Sequence, residues 1–181
     1  LRAVIGTLDP TLQDVRISKD LKDTFIIRRG GTEIIIQEGR LLNREVLSSG
    51  TADGIDVAMF LAAIIAREST FYYCDEHFSY IQSDIEKRIF GIMLDRLGNN
   101  EQLIFTTHNT DMLDLNLPKH SYIFLRKQQE DGIYNVSAIS ASEVLKRNTD
   151  SIRNAVENDI FASLPQDSLL DELEMGWANE Q

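Results

Sequence analysis

Two short apolar runs, residues 70–74 and 102–106, each follow a longer segment whose apolar residues recur at helical spacing. The first segment, residues 51–67, carries Ile55, Val57, Ala58, Met59, Leu61, Ala62, Ile64 and Ile65. The second, residues 83–97, carries Ile85, Ile89, Phe90, Ile92, Met93 and Leu97. Helix–strand–helix–strand order with strands this short predicts an α/β fold: a layered, mostly parallel sheet flanked by helices.

Around this centre the chain is punctuated clearly. Residues 1–8 read as the end of a helix, stopped by Asp9-Pro10. Residues 25–29 and 33–37 are β-branched runs joined through Gly30-Gly31, which predicts a small β-hairpin. Residues 111–115 suggest a short helix ending near Pro118. Two further strands are expected at 121–126 and 133–136, separated by Asp131-Gly132, then one or two helices over 141–161. No internal repeat or low-complexity stretch is present.

Composition narrows the function classes. The 181 residues carry 18 Lys and Arg against 29 Asp and Glu, a formal net charge of −11. A general electrostatic grip on nucleic acid is not expected of such a chain. The acidic excess sits at the C-terminal end, where residues 150–181 hold eight acids and one base, Arg153. That end reads either as a solvated tail or as an acidic helix that docks on a partner, with Leu169, Leu170 and Leu173 at helical spacing. The single cysteine, Cys74, excludes an internal disulfide framework and fits a reducing, cytoplasmic setting. The longest apolar run, residues 57–66, is ten residues, so no membrane partner is expected, and no signal peptide is visible.

Three places could carry chemistry. Leu47-Ser48-Ser49-Gly50-Thr51 leads small residues into an apolar helix. Its exposed N–H groups suit a phosphate, and its serine equally suits an ordinary helix cap. The run ending in Asp75-Glu76 puts two acids at the end of a strand. One could share a Mg²⁺ shell while the other orients water, or both could be solvated loop residues. The run ending in Thr106-Thr107-His108 puts a histidine at a strand tip, as a phosphate donor or as a loop residue bonded locally. Each interval between these places holds one helix, so both strand ends should leave the same edge of the sheet. No His/Cys cluster has zinc spacing, and Cys74 inside a strand reads as core rather than nucleophile.

In this combination the chain resembles the C-terminal half of an ABC-type ATPase domain, of the SMC/RecF-like AAA group that includes many bacterial phage-defence ATPases. Leu47 to Thr51 resembles the signature motif, Phe71 to Glu76 the Walker B strand, and Thr106-Thr107-His108-Asn109 the switch-histidine motif. His77 to Ser83 lies where the D-loop would be. The resemblance implies ATP and Mg²⁺ as cofactors. It implies that Asp75 takes part in Mg²⁺ binding, that Glu76 is the general base, and that His108 contacts the γ-phosphate. It also implies that Ser48, Ser49 and Gly50 bind nucleotide held mainly by a second copy, and that Ser79 lies across that homodimer interface. A lobe over residues 1–140 and a helical acidic extension over 141–181 follow from it, as does an effector partner in phage defence or DNA maintenance.

Two departures stand out. Relatives often carry Leu-His-Pro where this chain reads Ile81-Gln82-Ser83. None of the ten glycines is followed by Lys, so no phosphate loop occurs in these residues. The expectation is that a lobe carrying that loop precedes Leu1, that DNA could be touched only through such missing parts, and that this chain alone binds ATP weakly. The non-enzymatic alternative is a degenerate ATPase-fold module for dimerisation or regulation. A Toprim-type nuclease is the other enzymatic one, although Asp111 and Asp114 are spaced as a helix face rather than as a metal cluster.

Overall fold

In a computed structural model, which describes residues 2–130, 133–147 and 149–163, the Gly30-Gly31 pair closes a two-residue hairpin turn. It joins β2 (Thr24–Arg29) to β3 (Thr32–Gln37), with Arg29 opposite Thr32. Gly30 takes a φ of +55°, the left-handed conformation that such turns need and glycine adopts without steric cost. β1 (Gln13–Ile17) and β4 (Arg40–Leu41) flank the hairpin, giving an antiparallel sheet of order β1-β2-β3-β4. Its inner face is aliphatic: Ile27 lies opposite Ile34, and both are fully buried.

That face packs on α2 (Ser49–Ala66) through Ile55 and Ala58, together with Ile5 of α1 (Arg2–Leu8). α1 approaches α2 closely at Gly54, where an added Cβ would stand 3.2 Å from a methyl of Leu8. The opposite side of α2 presents Val57, Leu61 and Ile64 to a second core. This core holds Tyr72 and Cys74 of β5 (Phe71–Asp75) and Ile89 and Met93 of α3 (Ser83–Arg96). A helix buried on two sides must be apolar almost all round, which is why its sequence shows so little polar face. By length and composition its 18 residues could cross a membrane. Here they form the central layer of a core, and Arg44 bonds two carboxylates on the remaining side, Asp53 at 2.8 Å and Asp56 at 2.5 Å.

β5 pairs with β6 (Gln102–Thr106) in parallel, with Asp75 opposite Thr106. The mostly parallel sheet expected from the sequence is therefore not what the described residues form: β5 and β6 are their only parallel pair. The reason is connection length. A two-residue loop can join only antiparallel strands, whereas the α3 crossover is long enough to bring β6 back alongside β5. The β5–β6 pair is covered on one face by the core. Phe71, Tyr73 and Ile104 on the other face are 52%, 53% and 39% exposed.

The chain contacts divide into two compact units, Leu1–Asn109 and Thr110–Gln181. In the second unit, β7 (Ile123–Glu130) and β8 (Ile133–Ser140) form an antiparallel hairpin longer than the two strands expected. α4 (Ala141–Val144) and α5 (Ile152–Glu157) are short helices. Ala141, Leu145, Ala155, Val156 and Phe161 make one core with Phe124 and Ile139 of the hairpin. A division of the chain at residue 140 would pass through this core. Asp111 and Asp114 both face Arg153, which takes the Asp114 carboxylate with two nitrogens at 2.6 and 2.7 Å. The acidic helix expected around residues 168–175 lies outside the described residues.

Candidate functional site

The parallel register decides where the site can be. Because Asp75 and Thr106 are opposite one another, the residues that follow them, Glu76 and Thr107-His108, leave from the same rim of the sheet. β5 ends in a backbone that turns sharply: Glu76 has a φ of +50°, an unusual conformation for a residue with a side chain. It is held there by neighbours. The Glu76 N–H donates to the carbonyl and to the hydroxyl of Thr106, both at 3.2 Å, and the Ser79 hydroxyl donates to the Glu76 carbonyl at 2.8 Å.

Glu76, Ser79 and His108 line one open cavity of about 240 Å³, together with Ser83, Glu86, Thr107 and Asn109. Glu76 and His108 are both exposed there, so solvent reaches the carboxylate. The other candidate residues are not on this lining. Asp75 points to the open face of the β5–β6 pair, where the Thr106 hydroxyl donates to it at 2.5 Å. Ser48 caps α2: its hydroxyl accepts the Thr51 N–H at 3.3 Å. A Cβ added at Gly50 would stand 3.7 Å from the Tyr80 side chain, in the loop after β5. The first turn of α2 and the loop carrying Ser79 are thus neighbours within the first unit, with Ser48, Ser49 and Gly50 outside the cavity.

The start of α2 is tied down by a polar relay. The Thr51 hydroxyl donates to Asp9 at 2.9 Å and lies 2.9 Å from the Ser48 hydroxyl. Burial pushes the Asp9 carboxyl up, but hydrogen bonds from Thr11 and Thr51 and the charge of Arg29 outweigh it and hold it below the ordinary value of 3.8. A carboxyl depressed by folding stabilises the fold above its unfolded pKa, and that contribution is lost as pH falls through the folded value. Asp9→Asn should therefore lower stability at pH 7 and flatten its decline in acid, measured as urea midpoints from pH 7 down to pH 2. An unchanged acid profile would remove Asp9 from the account.

Cys74 is 1% exposed, and burial first of all pushes its thiol up to about 11, against a backbone N–H of His77 that lowers it. It is core, not a nucleophile.

Glu86 is a residue that periodicity alone passes over. It is 2% exposed, on the same stripe of α3 as Ile89, Phe90 and Met93. Its oxygens accept from Thr107 at 2.9 Å and from Asn109 at 2.5 Å. The available signal was a lone carboxylate at a core position of an amphipathic helix, which needs partners to be buried.

The arrangement can be tested against a magnesium nucleotide. Mg²⁺ keeps waters and takes phosphate oxygens, so it can be held by a single exposed carboxylate; Asp75 is one, on the side of the rim away from the cavity that Glu76 and His108 line. Among the described residues no group of three His, Cys, Asp or Glu could hold a metal without such a ligand. Glu76 and His108 present an exposed carboxylate and an exposed imidazole to one cavity. These 181 residues contain no Gly-Lys step.

No family model matches the chain, and no curated protein matches it. Among solved structures, it is similar to the crystal structure of the SMC head bound to the C-winged helix domain of ScpA. The TM-score is 0.47 and the identity 15%, over 79% of this chain and 42% of that one. The chain thus spans less than half the length of that neighbour.

Proposed function

We propose that the chain is the catalytic half of an ABC-type domain that hydrolyses ATP between two copies of itself. The observation that carries this is the β5–β6 register, which puts Glu76 and His108 on one cavity with Ser79 and leaves the carboxylate open to water. Asp75 would share the shell of a Mg²⁺ ion, which when bound would neutralise charge on the phosphates. Glu76 would accept a proton from water and aim it in line. His108 would donate to a terminal phosphate oxygen, where charge gathers in the transition state. Ser48, Ser49 and Gly50, at the N-terminus of α2, would meet the nucleotide of the second copy, and Ser79 would lie across that interface.

The phosphate loop would be supplied by a lobe outside these residues. The half-exposed face of Phe71, Tyr73 and Ile104 supports such a lobe, because parallel strands are normally covered on both sides. Opening and closing of the paired domains would drive an effector, in phage defence or DNA maintenance.

The test is turnover by the full-length protein. Wild type should hydrolyse ATP in the presence of Mg²⁺, and His108→Ala should reduce kcat about 100-fold while leaving Mg²⁺ dependence in place. The chain of 181 residues should bind ATP more weakly than micromolar. A full-length protein that dimerises with ATP but never turns it over would be the non-enzymatic module instead.

A further inference from the structure

The His108 tip is held by a carboxylate that it never touches. Thr107 and Asn109 flank His108 in the chain, and each gives a hydrogen bond to a different oxygen of Glu86, at 2.9 Å and 2.5 Å. The same three residues close on themselves. The Asn109 N–H donates to the Thr107 hydroxyl at 3.0 Å, and the Asn109 amide donates to Ser83 at 2.9 Å, in the first turn of α3. Glu86 itself is 2% exposed, and among the described residues no Lys, Arg or His forms an ion pair with it. A buried carboxyl without a counter-charge is costly unless both oxygens are bonded. Here the bonds that satisfy it are the two that span His108.

We infer that Glu86 is the positioning residue of the His108 tip: a clasp on α3 that fixes the imidazole over the cavity through the residues on either side. α3 is packed through the buried Ile89, Phe90 and Met93, so the clasp refers an exposed loop to the core. The catalytic consequence rests on the ATPase proposal; the ordering of the loop does not. A donor misplaced by about 1 Å can cost up to about 100-fold in rate, so the loop needs such an anchor if His108 works on a phosphate.

The experiment separates the two. In the 181-residue chain, backbone order at His108 is read by nitrogen-15 relaxation. Wild type should show a rigid value, about 0.85, and Glu86→Ala a value below about 0.6. The exchange Glu86→Gln with Asn109→Asp reverses the donor and the acceptor. Its amide can donate to the new carboxylate while its oxygen still accepts from Thr107, so order should return. Asn109→Asp alone sets two carboxylates face to face and should loosen the tip. If Glu86→Ala fails to fold, Asn109→Asp and the reversed pair carry the comparison. In the full-length protein, Glu86→Ala should lower kcat about tenfold with KM changed less than twofold, and the reversed pair should keep the wild-type rate.

Order at His108 that is the same in wild type and Asn109→Asp would overturn the clasp, whatever happens to stability. So would a reversed pair no better ordered than Asn109→Asp alone. If wild-type protein shows no turnover while the order values follow the pattern above, the clasp stands and the ATPase proposal falls.

Discussion

Glu76→Gln should reduce ATP turnover by the full-length protein about 10²- to 10⁴-fold, the range expected for loss of a general base. Nucleotide-dependent pairing of the domains should survive. The substitution is unusually clean here because the hydrogen bonds that hold Glu76 in place are made to its backbone, not to its side chain. The φ of +50°, the N–H bonds to Thr106 and the carbonyl bond from Ser79 are all independent of the side-chain charge. Glutamine keeps the size of the side chain and its place on the cavity, and loses only the ability to take a proton. Steady-state phosphate release checks the first half, and ATP-dependent dimerisation followed by light scattering checks the second. Turnover at the wild-type rate would remove Glu76 from the chemistry.

Phe161→Ala should destabilise the second unit by about 3–5 kcal/mol, the usual range for removing a buried aromatic ring. Phe161 is fully buried and stacked on Phe124, with ring centroids 4.0 Å apart and planes at 16°. The core around it is small, so few other contacts can compensate, and loss of that size approaches the whole stability of a unit this short. The first unit should be unaffected. Cys74 is its internal probe: the thiol should stay closed to a thiol-specific reagent until the first unit unfolds, while β7–β8 amides lose hydrogen-exchange protection. A chain ended at residue 140 should give the same result, since a two-stranded hairpin is marginal by itself. Full protection of β7–β8 in Phe161→Ala would mean that the ring is dispensable, and in the shortened chain that the hairpin folds without α4 and α5.

The elements that could be read directly are those with strong local signals. α2, α3, β5 and β6 carry clear apolar patterns, and Gly30-Gly31 marks its turn by composition alone. β1 was missed because Gln13–Ile17 is a polar edge strand whose partner, β2, supplies the apolar face. β4 is only two residues long. The stretch at 141–161 reads as one or two helices, and the described residues form two, α4 and α5; between them the Arg147 N–H donates to Asp150, a local bond that competes with helix. α3 ends at Arg96, one residue short of the 83–97 stretch whose apolar spacing marks it as helix.

The residues that could gather at a strand rim, Glu76 and His108, were visible because a strand running into polar residues is a one-dimensional pattern. So was the antiparallel hairpin, since a two-residue link permits nothing else. What linear pattern could not supply was the company each residue keeps. Glu86 looks like one more acid on a charged helix until α3 is rotated against β6 and two donors from beyond β6 meet it. Asp75 and Glu76 are adjacent in the chain but face different sides of the rim, because successive side chains alternate and the backbone then turns left-handed at Glu76. Local order follows from short-range sterics and periodicity, which the chain carries everywhere. Pairing of buried polar groups depends on contacts many residues apart, and only packing decides those.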